Sequence, residues 1–170
     1  MAYTLITNRD SPNFGYNKGG KTRGVHGRPS GKASFIVLHH WGKEGQQFNN
    51  VVDYLCRPNG DTSAHYVVEA GRVACIVDPD DVAWHAKSGN AQGIGIECRP
   101  ECTPADMETV AELIADIRKH YGNLPIYPHS KFVVTACPGK WANKIDTINK
   151  RAQQHTATSN TFAESQKLSQ

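Results

Sequence analysis

Phe35-Ile36-Val37-Leu38-His39-His40 is the stretch from which the rest of the chain can be ordered. Its first four residues form a short apolar run, rich in β-branched and aromatic types, which predicts a buried strand. That strand delivers His39 and His40 at its carboxyl end. Downstream, Phe48, Val51, Val52 and Leu55 recur at helical spacing until Arg57-Pro58-Asn59-Gly60 stops the helix. Tyr66-Val67-Val68 and Val73-Ala74-Cys75-Ile76-Val77 flank a turn at Ala70-Gly71, the pattern of a β-hairpin. Gly93-Ile94-Gly95-Ile96-Glu97 reads as a further strand, and its glycines mark a place where something else approaches closely.

The clearest helix opens at Thr103 as N-cap, with Pro104 in its first turn and Asp106 placed to return a cap. Met107, Val110, Ala111, Ile114, Ile117 and Tyr121 form its apolar stripe, and Gly122 ends it. Trp141, Ile145, Ile148 and Ala152 suggest a last helix. From Gln153 the composition turns to Gln, Thr, Ser and Asn, so residues 156–170 are expected to be a polar tail or linker. Upstream of the first strand, residues 11–34 are rich in Gly, Lys and Arg, with turn signals at Gly19-Gly20 and Arg28-Pro29-Ser30-Gly31. Residues 1–34 are therefore expected to be an irregular segment draped over a single domain of residues 1–155. Interleaved strands and helices predict an α/β class, with a mixed central β-sheet flanked by helices on both faces.

A chain of 170 residues with 38% hydrophobic and 21% charged residues can bury a real core. A formal net charge of +3, scattered over both signs, is too weak to imply nucleic acid. No apolar run approaches a membrane span, and residues 1–10 lack the apolar stretch of a secretory signal, so no membrane insertion and no Sec export are expected. Five cysteines without such a signal argue against a disulfide framework. Cys56, Cys75, Cys98 and Cys102 read as free thiols. Cys137 stands apart.

His129 and Cys137 lie eight residues apart in Pro128-His129-Ser130-Lys131-Phe132-Val133-Val134-Thr135-Ala136-Cys137-Pro138-Gly139. Structural zinc sites usually show paired ligands at short spacing, and this chain has none. With His39 the chain offers an N, N, S set that leaves a fourth position for water, the arrangement of catalytic zinc. A chain with eight histidines offers other trios as well, so residue types alone leave the metal unidentified.

Ile36-Val37-Leu38-His39-His40, Ser63-Ala64-His65-Tyr66-Val67-Val68, Ala83-Trp84-His85-Ala86, Asn90-Ala91-Gln92-Gly93-Ile94-Gly95-Ile96-Glu97, Pro128-His129 and Thr135-Ala136-Cys137-Pro138-Gly139 follow one another in a telling order. Over residues 35–152 the sequence resembles the zinc N-acetylmuramoyl-L-alanine amidases, which share a fold with peptidoglycan recognition proteins and phage lysozyme-amidases. The resemblance implies that His39, His129 and Cys137 hold a zinc ion and that Glu97 is the general base. Thr135 would stabilise the oxyanion. Read as loop residues, Trp84 and His85 suit a cleft that contacts sugar or peptide, with His65, Asn90 and His40 as further substrate-binding candidates. One departure stands out: where several relatives carry a catalytic tyrosine, this chain has Ala64, with Tyr66 two residues on.

The expected reaction is metal-assisted hydrolysis of the bond between N-acetylmuramic acid and L-alanine, acting on bacterial peptidoglycan as a monomer. An endolysin setting would keep the protein cytoplasmic until its release to the cell wall. Two rivals remain at this level: a non-catalytic peptidoglycan-binding module of the same fold, and a cysteine hydrolase with Cys137 as nucleophile.

Overall fold

The apolar runs and helical stripes become β1 (Thr4–Ile6), β2 (Phe35–His40), α1 (Phe48–Leu55), β3 (Tyr66–Glu69), β4 (Arg72–Cys75), β5 (Gly93–Cys98), α2 (Pro104–Tyr121), β6 (Ile126–Pro128) and α3 (Ile145–Leu168). The computed structural model describes residues 2–16 and 22–168, so the expected Gly19-Gly20 turn lies outside the described residues. The strands form one sheet in the order β1-β4-β3-β5-β2-β6. The hairpin of β3 and β4 is antiparallel, and the other pairings are parallel. The sheet is therefore mixed, as its sequence pattern predicts.

Parallel strands need cover on both faces, which is why β2 and β5 are apolar almost throughout. Ile36, Leu38, Ile94 and Ile96 point with Val68 and Val73 toward Val110, Ile114 and Ile117 of α2 and Ile148 of α3. The neighbouring residues Val67 and Ala74 point the other way, under Phe48, Val52 and Leu55 of α1. The cap of α2 forms as its sequence implies. Asp106 N–H donates to Thr103 Oγ1 at 3.1 Å, and Thr103 N–H donates to Asp106 Oδ2 at 3.0 Å. Gly122, at φ 85°, lets the chain leave the helix.

Three features differ from the sequence reading. Residues 1–34 contain a strand, β1, paired with β4. It is short and sits at the sheet edge with Thr4 and Leu5 exposed, so it carries no alternating signal. At the opposite edge, β6 ends in Pro128, which a central strand would not tolerate. The last helix does not stop near Ala152: it continues to Leu168, so the stretch expected to be a polar tail is helical over most of its length. Its first half is pinned to α2 by a bidentate Arg151–Glu108 pair and by His155 Nε2, 2.7 Å from Glu108 Oε1. Such contacts hold a helix whose own sequence is only moderately apolar.

Candidate metal centre

Three parallel neighbours, β5, β2 and β6, end at the same edge of the sheet. Their register sets His39 opposite Glu97 and Leu38 opposite Pro128, so His129 comes next on the same edge. Open α/β sheets bind ligands in the crevice beyond the carboxyl ends of their strands. Cys137 comes to this edge on the loop after β6. His40 N–H donates to its Sγ at 3.4 Å, and Cys137 N–H donates to Thr135 Oγ1 at 3.1 Å. Gly139, with φ 61°, is needed there because a Cβ would come within 2.5 Å of the His40 ring. Trp141, fully buried, anchors the short helical turn Gly139–Asn143 by donating from Nε1 to the Arg99 carbonyl at 2.8 Å.

One donor atom each from His39, His129 and Cys137 lies within 4.8 Å of the others. The His39 and His129 rings are 4.3 Å apart, centre to centre. His129 Nδ1 is buried without a hydrogen-bond partner, and so is Glu97 Oε2. Buried polar atoms are rarely left unpaired without reason, and a cation among these groups would satisfy the imidazole. The donor set of two imidazoles and one thiol fits a zinc ion.

Burial governs the electrostatics. It holds His39 well below its usual pKa, with the neighbouring His85 adding to the effect, and it lowers His129, so both rings are neutral and able to ligate. Burial alone pushes Glu97 up to about 8. Cys137 is pushed up to about 12, chiefly by burial, although the His40 backbone N–H offsets part of this. A bound cation inverts that logic and takes the sulfur as thiolate.

Two clefts meet at Thr62 beside these groups. One, of about 650 Å³, is bordered by His40, Trp41, Gln47, Tyr54 and Glu97. The other, of about 700 Å³, is bordered by Tyr16, His85, Lys87, His129 and Thr135. Trp41, Tyr54, Tyr16 and Thr62 were not singled out by sequence. Trp41 follows the histidine pair directly, which was the available signal.

The structure corrects the reading of His65 as an accessible residue, while Trp84 borders the second cleft with almost no exposed surface. His65 is fully buried, accepting from Gly95 N–H at 2.9 Å and donating to the Asp81 carbonyl at 2.8 Å. Trp84 is 2% exposed, and its indole donates to the Gly15 carbonyl at 2.9 Å. Both side chains are spent on the N-terminal segment and the sheet. Asn90 reaches the rim of a cleft, but its Oδ1 accepts from His85 N–H and Ala86 N–H, which shapes the loop. His85 is also buried: Nδ1 lies 2.9 Å from His39 Nε2, and Nε2 lies 3.2 Å from the Gly93 carbonyl oxygen. Arg28 is buried as well, its guanidinium donating to the carbonyls of Pro79, Asn90, Ala91 and Gly93. Nothing in its turn-like surroundings sets that arginine apart in sequence.

A family profile described as N-acetylmuramoyl-L-alanine amidase matches residues 29–140, an interval that holds every group of the candidate centre. The N-acetylmuramoyl-L-alanine amidase CwlL of Bacillus licheniformis is 28% identical over 145 residues. That match takes in 68% of this chain but 39% of the relative, so the chain spans well under half of it. Among solved structures, the catalytic domain of XlyA superposes with a TM-score of 0.69 at 19% identity, over 88% of this chain and 99% of that one. The PlyG catalytic domain gives 0.70 at 14% identity, over 90% and 95%. The Staphylococcus aureus hydrolase AmiA gives 0.66 at 17% identity, over 89% and 84%. At such identities these three likenesses are likenesses of fold.

Proposed function

The chain belongs to the N-acetylmuramoyl-L-alanine amidase family, and from that premise we propose that it hydrolyses the amide between N-acetylmuramic acid and the L-alanine of the stem peptide, with zinc held by His39, His129 and Cys137. The observation that carries this reading is the convergence of those three donors within 4.8 Å, on a histidine pair of which His129 also holds a buried, unpartnered ring nitrogen. Zinc held there supplies a Lewis acid for the scissile carbonyl and lowers the pKa of water to roughly 7.

The chain's own groups complete the chemistry. Glu97, with Oε2 unpartnered, takes a proton from the attacking water in its ionised form; burial alone raises its pKa to about 8, and a cation held beside it would favour the carboxylate. The water oxygen bonds to the carbonyl carbon, the C–N bond breaks, and Glu97 hands the proton to the departing alanine nitrogen. Thr135 accepts from Cys137 N–H, which leaves its own O–H to donate to the developing oxyanion. His40 N–H steadies the Cys137 sulfur. We place the catalytic domain within residues 1–155 and bacterial peptidoglycan as the partner, met by a monomer in an endolysin-like setting. Among the described residues, no helix is long and apolar enough to cross a membrane.

A thiol hydrolase is disfavoured because a catalytic cysteine needs a lowered pKa, and Cys137 is pushed the other way. A purely binding module would have no use for the buried carboxyl of Glu97 beside the donor trio. Metal analysis joined to digestion of cell walls tests the reading. We expect about one zinc per chain, loss of lysis on chelation and recovery with zinc. New amino groups should appear at L-alanine, with no new reducing sugar ends. Cys137→Ser should lose metal and lysis together. Full lysis by metal-free protein, or cleavage at a glycosidic bond, defeats the proposal.

A further inference from the structure

The geometry points to His85 as a positioning residue, one that accepts the Nε2 proton of His39 and thereby keeps Nδ1 of that ligand free for the metal. The inference rests on the zinc-site reading above and adds to it a residue that touches neither substrate nor metal.

The protons can be placed from their partners. A carbonyl oxygen only accepts, so the 3.2 Å contact between His85 Nε2 and the Gly93 carbonyl puts a proton on Nε2. A neutral imidazole has one such proton, and His85 Nδ1 therefore presents a lone pair. His39 Nε2, 2.9 Å away, must be the donor. His39 then carries its proton on Nε2 and a lone pair on Nδ1. Metal-bound histidines commonly donate their other N–H to an outer partner that fixes tautomer and ring orientation. Here that partner is a second histidine, itself fixed by a backbone carbonyl.

The rest of the fold holds this relay still. A Cβ on Gly95 would lie 2.7 Å from His85 Cγ and Nδ1, so the bare strand is what admits the ring. Gly95 thus marks the approach of an imidazole, whereas a Cβ on Gly93 would meet the Gly89 carbonyl oxygen at 2.6 Å. Arg28 Nη2 also donates to the Gly93 carbonyl, at 3.1 Å, and holds the acceptor that orients His85. Asn90 Oδ1 holds the other end by taking His85 N–H at 2.9 Å. With both ring nitrogens engaged inside the protein, His85 has no polar atom left for substrate.

Two arms test the inference. In metal-free protein, the ¹⁵N shifts of the His39 and His85 rings should show both protonated at Nε2; a proton on His39 Nδ1 overturns it. Zinc affinity is then measured by competition with a chelator in His85→Leu and His85→Asn. Leucine fills the space without an acceptor, and zinc should bind about 10–100-fold more weakly. Asparagine sets Oδ1 near the place of Nδ1 and should recover most of the loss, although its melting temperature need not exceed that of the leucine variant. Equal zinc affinity in the leucine variant and the parent overturns the inference while the amidase proposal stands. Tight zinc binding with the expected variant pattern but no amide cleavage defeats the amidase proposal and leaves the inference standing.

Discussion

Glu97 meets two demands at one position. Its place in β5 opposite His39 brings the carboxyl to the metal edge, and its burial leaves Oε2 without a partner and raises its pKa to about 8. A group built for packing would be paired or replaced by an apolar residue, because an unpaired buried carboxyl costs stability. Glu97→Gln keeps the volume and the hydrogen-bonding tip but cannot accept a proton. The variant should hold zinc as the parent does and melt at or slightly above the parental temperature. Amide hydrolysis should be slower by about 10²–10⁴-fold. Steady-state release of L-alanine amino groups, with zinc quantified in the same samples, checks this. Retention of most of the activity would pass the base role to another group, for which Tyr66 is a poor candidate because burial pushes its phenol far above its usual range.

The start of α2 shows how an element can be specified by a few residues and then do more than its motif says. Thr103, Pro104 and Asp106 announce the cap in sequence, but Asp106 is also fully buried, and its Oδ1 takes Ala70 N–H at 2.9 Å. Thr109 Oγ1 takes Gly71 N–H at 2.9 Å, so the helix start holds the β3–β4 turn. Asp106→Ala removes one side of the cap and strips the turn of an acceptor, a combined loss of roughly 3 kcal/mol. That should lower the melting temperature by about 6–12 °C while leaving the zinc stoichiometry intact; a shift under about 2 °C would show the two roles to be redundant. Elements with a strong period or an explicit cap were legible: β2, α1, the hairpin, β5 and α2 fall where periodicity and turn residues put them. Edge strands of three residues were not, because β1 and β6 take their definition from a neighbour rather than from their own pattern. The same holds in the site. His39, His129 and Cys137 were legible through the family resemblance, since residue types alone left other trios open, whereas the burial of His65, Trp84 and Arg28 depends on an N-terminal segment whose sequence reads only as turns.

On the scale of the whole molecule, the buried titratable groups set how stability depends on pH. Burial holds His39 and His65 well below 6.5 and His85 at about 3, so the folded metal-free protein keeps them neutral. The unfolded chain protonates them near 6.5, binds more protons below that pH, and is favoured as pH falls. Each group contributes a slope approaching about 1.4 kcal/mol per pH unit on the acid side. Glu97 acts in the opposite sense: folded, it keeps its proton up to about 8, while the unfolded chain releases it near 4.5. Its effect is a loss of stability as pH rises from 4.5 to 8. Below 6.5 these three histidines, joined by His129, outweigh one carboxyl; from 6.5 to about 8 the carboxyl acts against stability, and at higher pH the thiols, all held above their usual range by burial, join it. Thermal melts with chelator present should therefore peak at about pH 6–7 and, between about pH 5 and 8, fall more steeply toward acid than toward base. Saturating zinc should move the maximum upward in pH, because binding requires the Cys137 thiol to give up its proton and strengthens as protons become scarcer. A chelated protein whose stability stayed level from about pH 5 to 8, or climbed through that interval, would mean that water reaches these groups and that the edge of the sheet is not the dry site its burial describes.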